Sequence, residues 1–246
     1  MARRPRQVVA GRCYHLAQSG HGDASFCLDA EDREAYEQIF FEAALGLGLF
    51  VHGWAVVGRE AHWLVTPQRP RAMADVVQQV GRRYVRRFNA RWRRSGTPWA
   101  GRYRSYWVDP SAHGVDALVW MAWQSVRAGL CGDPLDWPWS SAALLAGQQP
   151  PARFVNIKPV EGYWALGNTP FEREAAFMRL LREPLSPGVL DGVARGLSMG
   201  WPFLGPAAWA RLPTEEREAW VMRPRGRPAG EASSAPRPGD FDVSLI

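Results

Sequence analysis

The order of six segments between residues 11 and 108 limits the fold more than any other feature. Residues 11–19 (GRCYHLAQS) alternate in part and run into Gly20 and Gly22, which predicts a strand entering a loop. Asp29 then precedes a segment in which Ala35, Ile39, Phe40, Ala43, Ala44 and Leu47 recur at helical spacing. Glu31, Asp32 and Glu34 lie in its first turn, and Gly46 and Gly48 stand near its end. Residues 49–57 (LFVHGWAVV) and 62–66 (HWLVT) are apolar and β-branched about a turn at Gly58-Arg59-Glu60, which predicts a hairpin. A second helix is predicted from about Ala72 to Arg94, and a strand over 103–108 follows Gly101. The order β-α-β-β-α-β is the split βαβ, ferredoxin-like arrangement, an α+β fold with an antiparallel sheet and helices on one face.

Past the sheet, Ser111 opens a third helix that runs through Trp120 to about Ala128 and is closed by Gly129. A short helix over 142–145 ends at Gly147 and a Pro-rich connection follows. Residues 170–183 predict another helix, whereas the many Gly and Pro of 184–212 predict a compact but irregular helical region. From about Arg223 the chain is Pro, Gly, Ser, Ala and Arg with little to bury, which predicts disorder. The expected organisation is a sheet domain over 1–147, a C-terminal helical extension over 148–222 and a tail over 223–246.

Charge narrows the partners. The formal net charge is +6, and Lys158 is the single lysine among 30 basic residues. Arginine suits planar, bidentate contacts to phosphate and guanine, so this balance points to nucleic acid. Genomic base composition explains an Arg-for-Lys bias equally well, and on that account the chain is an interaction module of another kind. Clustering separates the two. The second helix holds Arg82, Arg83, Arg86, Arg87 and Arg91, interleaved with a stripe of Val80, Tyr84, Phe88 and Trp92. A basic helix of this kind can track a phosphate backbone.

Cys13, Cys27 and Cys131 are odd in number and far apart, which argues against a disulfide framework and for a reducing compartment, the cytoplasm. Cys13, His15, His21 and Cys27 fit no standard zinc-finger spacing. No apolar run reaches the roughly 18 residues of a membrane span, and Arg3, Arg4 and Arg6 are not followed by a signal-peptide core.

Glu60 and His62 are two apart at a strand start, so both project to one face. A carboxylate and an imidazole so placed can hold a divalent cation, and they fit an ordinary surface pair as well. Asp116, Trp120 and Gln124 fall at i, i+4 and i+8 of the third helix, so packing of that helix against the hairpin brings Gln124 toward Glu60 and His62. Periodicity alone assigns Trp120 and Trp123 to the core.

Several motifs in order resemble the REP-associated tyrosine transposases, a branch of the HUH single-strand transposases. They are Gly11-Arg12-Cys13-Tyr14-His15-Leu16, Arg83-Tyr84-Val85-Arg86-Arg87-Phe88-Asn89, Gly101-Arg102-Tyr103, Val126-Arg127-Ala128-Gly129-Leu130 and Asp136-Trp137-Pro138-Trp139-Ser140-Ser141. Leu166-Gly167-Asn168-Thr169-Pro170 and Gly226-Arg227-Pro228 extend the match over most of the chain. The family carries His-hydrophobic-His on the strand, where this chain has Glu60 and His62. Its helical Tyr-Ile-His-Leu-Asn-Pro, counted back from Val126, places the nucleophilic Tyr at Trp120, the Asn at Gln124 and the Pro at Ser125.

The resemblance implies a nucleoid-associated protein that binds single-stranded or hairpin DNA, such as a palindromic repeat end, as a monomer or a homodimer. Arg82, Arg83, Arg86, Arg87, Arg91, Arg102 and Arg127 are then the phosphate-contacting candidates, with Mg²⁺ or Mn²⁺ held by Glu60, His62 and Gln124. An indole has no ionisable oxygen, so Trp120 cannot form a phosphotyrosine and the resemblance implies a pseudoenzyme. The alternative keeps DNA cleavage through Tyr84, Tyr103 or Tyr106, or through a metal-activated water. In the tail, Arg225-Gly226-Arg227-Pro228 matches the core of an AT-hook, which lays Arg225 and Arg227 in an A·T minor groove.

Overall fold

A computed structural model of the chain describes residues 8–22, 25–150, 152 and 154–220. The arginines at 3, 4 and 6, the expected disordered tail and its AT-hook residues Arg225 and Arg227 lie outside the described residues.

The expected element order is present: β1 (Tyr14–Ser19), α1 (Ala30–Leu47), β2 (Leu49–Val57), β3 (Glu60–Pro67), α2 (Ala72–Trp92) and β4 (Arg104–Trp107). The sheet order is β2-β3-β1-β4 with every pairing antiparallel, the ferredoxin-like topology. α1 starts where the Asp29 side chain accepts the Asp32 backbone N–H, and it stops at Gly48, whose left-handed φ of 70° returns an N–H to the Ala44 carbonyl. α2 closes at Trp92, two residues short of the expected end. There Arg93 adopts φ 50°, the one positive value at a non-glycine among the described residues.

Side-chain alternation sorts the strands onto two faces. On one, Leu16, Val51, Trp54, Trp63 and Val65 pack against Tyr36, Phe40 and Phe41 of α1 and Val80, Tyr84 and Phe88 of α2. Phe40 stacks on Trp63 with centroids 3.5 Å apart. The expected stripe of α2 is thus core, except for Trp92, which is exposed and donates to Asp32 Oδ2 at 2.9 Å.

The opposite face is covered by the helices that follow the sheet. The expected third helix is two pieces, α3 (Gly114–Ala122) and α4 (Gln124–Arg127), with Trp123 between them. The break has a local cause. The Gln124 side-chain amide donates at 2.6 Å to the Trp120 carbonyl, the acceptor that an unbroken helix offers to the Gln124 backbone N–H. Short helices α5 (Ala142–Leu145) and α6 (Glu161–Trp164) precede α7 (Pro170–Arg182), which starts in a Thr169–Glu172 capping box.

The segment 184–212 is more regular than its composition implies. It contains the 13-residue α8 (Pro187–Met199), followed by α9 (Pro206–Arg211). The glycines of α8 are contact points rather than breakers: a Cβ on Gly196 would stand 2.5 Å from the Tyr106 ring, and one on Gly192 2.5 Å from Phe203.

Both sheet edges are covered. Trp137 Nε1 donates to the Val56 carbonyl at 3.0 Å, and Ser141 N donates to the Trp54 carbonyl at 2.9 Å, so the Asp136–Ser141 motif runs along β2. Phe203 bridges the end of β4, donating to the Trp107 carbonyl at 2.8 Å and accepting from Asp109 N at 2.9 Å. The described residues fall into two compact units divided between Arg211 and Leu212; the second holds α10 (Thr214–Ala219). Among the described residues no helix is long and apolar enough to cross a membrane.

Candidate functional site

The sheet face under α3 holds a line of polar side chains. The pairing of β1 with β3 sets Ser19 opposite Glu60 and Ala17 opposite His62, while its pairing with β4 sets His15 opposite Tyr106 and Ala17 opposite Arg104. Residues 15, 17 and 19, 60 and 62, and 104 and 106 therefore share this face, with His15 diagonal to His62.

The contacts run along the line, with one open joint between His62 and Glu60. Tyr106 Oη lies 2.7 Å from His15 Nδ1, and His15 Nε2 lies 3.1 Å from His62 Nδ1. His62 Nε2 lies 3.4 Å from Glu60 Oε2, within ion-pair range, yet this buried nitrogen makes no hydrogen bond. Glu60 Oε1 accepts from Ser19 Oγ at 2.9 Å and from Arg104 Nη2 at 3.0 Å. His15 and His62 are fully buried and Tyr106 is nearly so, whereas the Glu60 side chain is half-buried at the open end.

The electrostatics follow from this gradient. The His62 ring, helped by Ser19 and Arg104, outweighs partial burial and holds the Glu60 carboxyl down at about 2. Burial, reinforced by the neighbouring His62, pushes His15 well below the usual histidine range, so its ring is neutral. Burial raises the Tyr106 phenol.

Trp120 lies over the two imidazoles. Its ring meets His62 edge-on at 5.2 Å and His15 at 5.6 Å, and the Arg127 guanidinium stands 5.8 Å from its centre. The fold thus assembles Glu60, His62 and Trp120, with Gln124 tied to the Trp120 carbonyl through its amide nitrogen, leaving its oxygen as the acceptor end. Asp116 is engaged elsewhere, with His113 Nδ1 at 2.9 Å. Among the described residues no group of three or more His, Cys, Asp or Glu is arranged to hold a metal. Cys13 and Cys27 belong to the cores on opposite sides of the sheet.

The alternative nucleophiles fare differently. Tyr84 is fully buried on the α1/α2 side and donates to the Phe26 carbonyl at 2.6 Å. Tyr103 packs partly buried against that same core. Tyr106 lies in the polar line but is only 2% exposed.

The α2 arginines lie across the sheet from His62 and Trp120, and three of them are occupied. Arg83 meets Glu42 at 2.6 Å and Arg87 meets Glu31 at 2.6 Å. Arg91 joins Asp29 at 2.6 Å, Asp32 at 2.7 Å and Glu31 at 2.9 Å. Part of the basic face therefore staples α2 to α1, Arg87 and Arg91 at its acidic first turn and Arg83 at Glu42 near its end, which periodicity within either helix does not disclose. Arg82 and Arg86 are exposed and pair with no carboxylate among the described residues, and Arg102 and Arg127 are exposed beyond the α2 face.

His15, Ser19 and Arg104 are not among the residues that the sequence singles out for this site, and Tyr106 enters there only as an alternative nucleophile. The strand alternation of 11–19 contains the signal for His15, but its neighbours follow only from the strand register.

No protein-family model matches the chain, and no curated protein does. Among solved structures, the chain is similar to the REP-associated tyrosine transposase bound to a REP hairpin. The TM-score is 0.49 and the identity 13%, over 65% of this chain and 98% of that one. It is also similar to a protein of Deinococcus radiodurans R1 assigned as a transposase, at a TM-score of 0.34 and 20% identity over 52% of this chain and 98% of the other.

Proposed function

We propose that the chain binds single-stranded or hairpin DNA in the manner of the REP-associated tyrosine transposases and has lost their covalent strand-transfer chemistry. The observation that supports this reading most is the approach of Trp120 to His62, with ring centres 5.2 Å apart. These residues are far apart in sequence, and they occupy the positions that the motifs align with the family's nucleophile and one of its metal ligands. An indole in that place cannot attack phosphorus.

Glu60 and His62 would hold Mg²⁺ or Mn²⁺, with the Gln124 carbonyl as a further ligand. The orphaned His62 Nε2 beside Glu60 Oε2 fits such an ion, since cis ligands on a small hard cation stand about 3 Å apart. A bound cation would polarise a scissile phosphate. Arg82, Arg86 and Arg102 would offer guanidinium groups that pair with no carboxylate among the described residues, Arg127 would reach phosphate from beside Trp120, and Arg83, Arg87 and Arg91 would have to exchange α1 carboxylates for phosphates. In this reading residues 1–147 form the DNA-binding domain, 148–222 a C-terminal helical extension, and 223–246 a tail that adds minor-groove contact through Arg225 and Arg227.

The test is titration of labelled hairpin DNA at several salt concentrations, followed by incubation with Mn²⁺. Affinity that falls steeply with salt is expected, with no covalent adduct. Salt-insensitive or absent binding would overturn the DNA reading. A protein–DNA adduct would overturn the loss of the nucleophile, and nicking without an adduct would assign cleavage to a metal-activated water.

A further inference from the structure

We infer that Arg104 is a phosphate-binding residue of this site, held at one nitrogen by Glu60 and Ser19 so that its remaining donors meet a DNA backbone phosphate at the open end of the polar line. This rests on the DNA-binding reading given above and needs no bound cation.

Position comes first. Arg104 is the single arginine in the four strands, at the start of β4. Its register opposite Ala17 puts it on the face that carries His15, Ser19, Glu60, His62 and Tyr106, across the sheet from the α2 arginines. The line is buried at its Tyr106 and His15 end and open at the other, where the Arg104 side chain is 40% exposed and that of Glu60 36%.

The contacts divide the guanidinium. Nη2 donates to Ser19 Oγ at 2.9 Å and to Glu60 Oε1 at 3.0 Å, and Ser19 Oγ itself donates to Glu60 Oε1 at 2.9 Å. The three groups thus close a ring around one nitrogen. A guanidinium carries five N–H donors, so Nε–H and the two of Nη1 are left, and these meet no protein acceptor among the described residues. Arg91 contrasts with this, since both of its terminal nitrogens are taken by the carboxylates of Asp29, Glu31 and Asp32.

An arginine already fixed at one nitrogen loses little further rotamer freedom when an anion arrives. Its remaining donors form charge-assisted hydrogen bonds to phosphate oxygen. A bare Glu60 at the open end would repel a DNA backbone; the guanidinium balances that charge and offers donors in its place. Glu60 Oε2 stays turned toward His62 and is not used by Arg104.

Titration of labelled hairpin DNA at several salt concentrations, with EDTA present, tests this on the full chain. Arg104→Ala should weaken binding roughly 10-fold and lower the slope of log affinity against log salt by about 1, the mark of one lost phosphate contact. An arginine that merely neutralised Glu60 would act differently, because its removal would harm binding only through the unbalanced carboxylate. Arg104→Ala combined with Glu60→Gln removes that carboxylate, and the lowered slope should persist. Return of the wild-type slope and affinity in the double variant would overturn the inference, as would a wild-type slope in Arg104→Ala. Arg104→Gln keeps a neutral donor for Glu60 and Ser19, should lose the same slope, and decides the matter if Arg104→Ala does not fold. Steep salt dependence shared by the wild type and the Arg104 variants would remove Arg104 alone from the DNA contacts. A wild-type protein that fails to bind the hairpin would overturn the DNA reading and this inference with it.

Discussion

Gly196→Ala and Gly81→Ala make the same chemical change in two helices, and the structure gives them opposite signs. An added Cβ at Gly196 would stand 2.5 Å from Cγ and Cδ2 of Tyr106 and 2.6 Å from Cε2. Carbon pairs are comfortable at about 3.5 Å, so either α8 or the ring must yield by roughly 1 Å. The ring cannot swing freely, because it is 2% exposed and its hydroxyl bonds His15 Nδ1 at 2.7 Å. Overpacking of this kind costs about 1–3 kcal/mol, and a clash with three ring atoms belongs near the middle of that range. Alanine regains about 1 kcal/mol of helix propensity, which leaves a net loss of about 1 kcal/mol. At Gly81, inside α2, nothing lies within 4 Å of the new Cβ, so the propensity gain stands alone at up to about 1 kcal/mol. The two variants should differ by about 2 kcal/mol, or roughly 4–8 °C in Tm for a chain of this size. Thermal melts followed by circular dichroism measure this directly. If Gly196→Ala melts with Gly81→Ala, or above the wild type, then α8 does not clamp Tyr106 as described.

Arg91→Ala should lower the urea midpoint, because it strips the charged partner from Asp32, whose side chain is 1% exposed, whereas Arg86→Ala should leave the midpoint where it is. Glu37 is buried and accepts from Trp54 Nε1 at 2.7 Å, and burial pushes its carboxyl up to about 8. The folded state therefore holds this proton where the unfolded chain has released it. The contribution is complete below the unfolded value of about 4.3 and is lost as pH rises through 8. Glu37→Gln should flatten the fall in stability between pH 5 and 8, and an unchanged slope would refute the assignment. For DNA, replacing both Arg82 and Arg86 by Ala should lower the slope of log affinity against log salt by about 2, and no change in slope would remove them from the phosphate contacts.

The six-element order could be read from the chain because each element announces itself locally. Asp29 caps α1, Gly48 ends it, the turn after Val57 reverses the strand, and Thr169-Pro170 with Glu172 starts α7. The Glu60–His62 pair was legible for the same reason, since a spacing of two in a strand fixes a shared face. Residues 184–212 were not, because glycine carries the same local signal whether it breaks a helix or lets one approach Tyr106 and Phe203. The partition of the arginines was equally hidden: Arg82 and Arg91 look alike until α1 is laid beside α2 and its carboxylates select among them.

The sequence by itself determined the ferredoxin-like order, the basic second helix and the absence of a tyrosine at position 120, all of which depend on residue identity and near-neighbour spacing. The tertiary structure alone decided that His15 and Tyr106 stand behind His62, that Trp120 closes over both imidazoles, and that α2 faces away from them. These relations join residues up to 105 positions apart, from His15 to Trp120. They are set by strand register and by which face each helix covers, and a shift of one residue in β1 would have turned His15 into the opposite core.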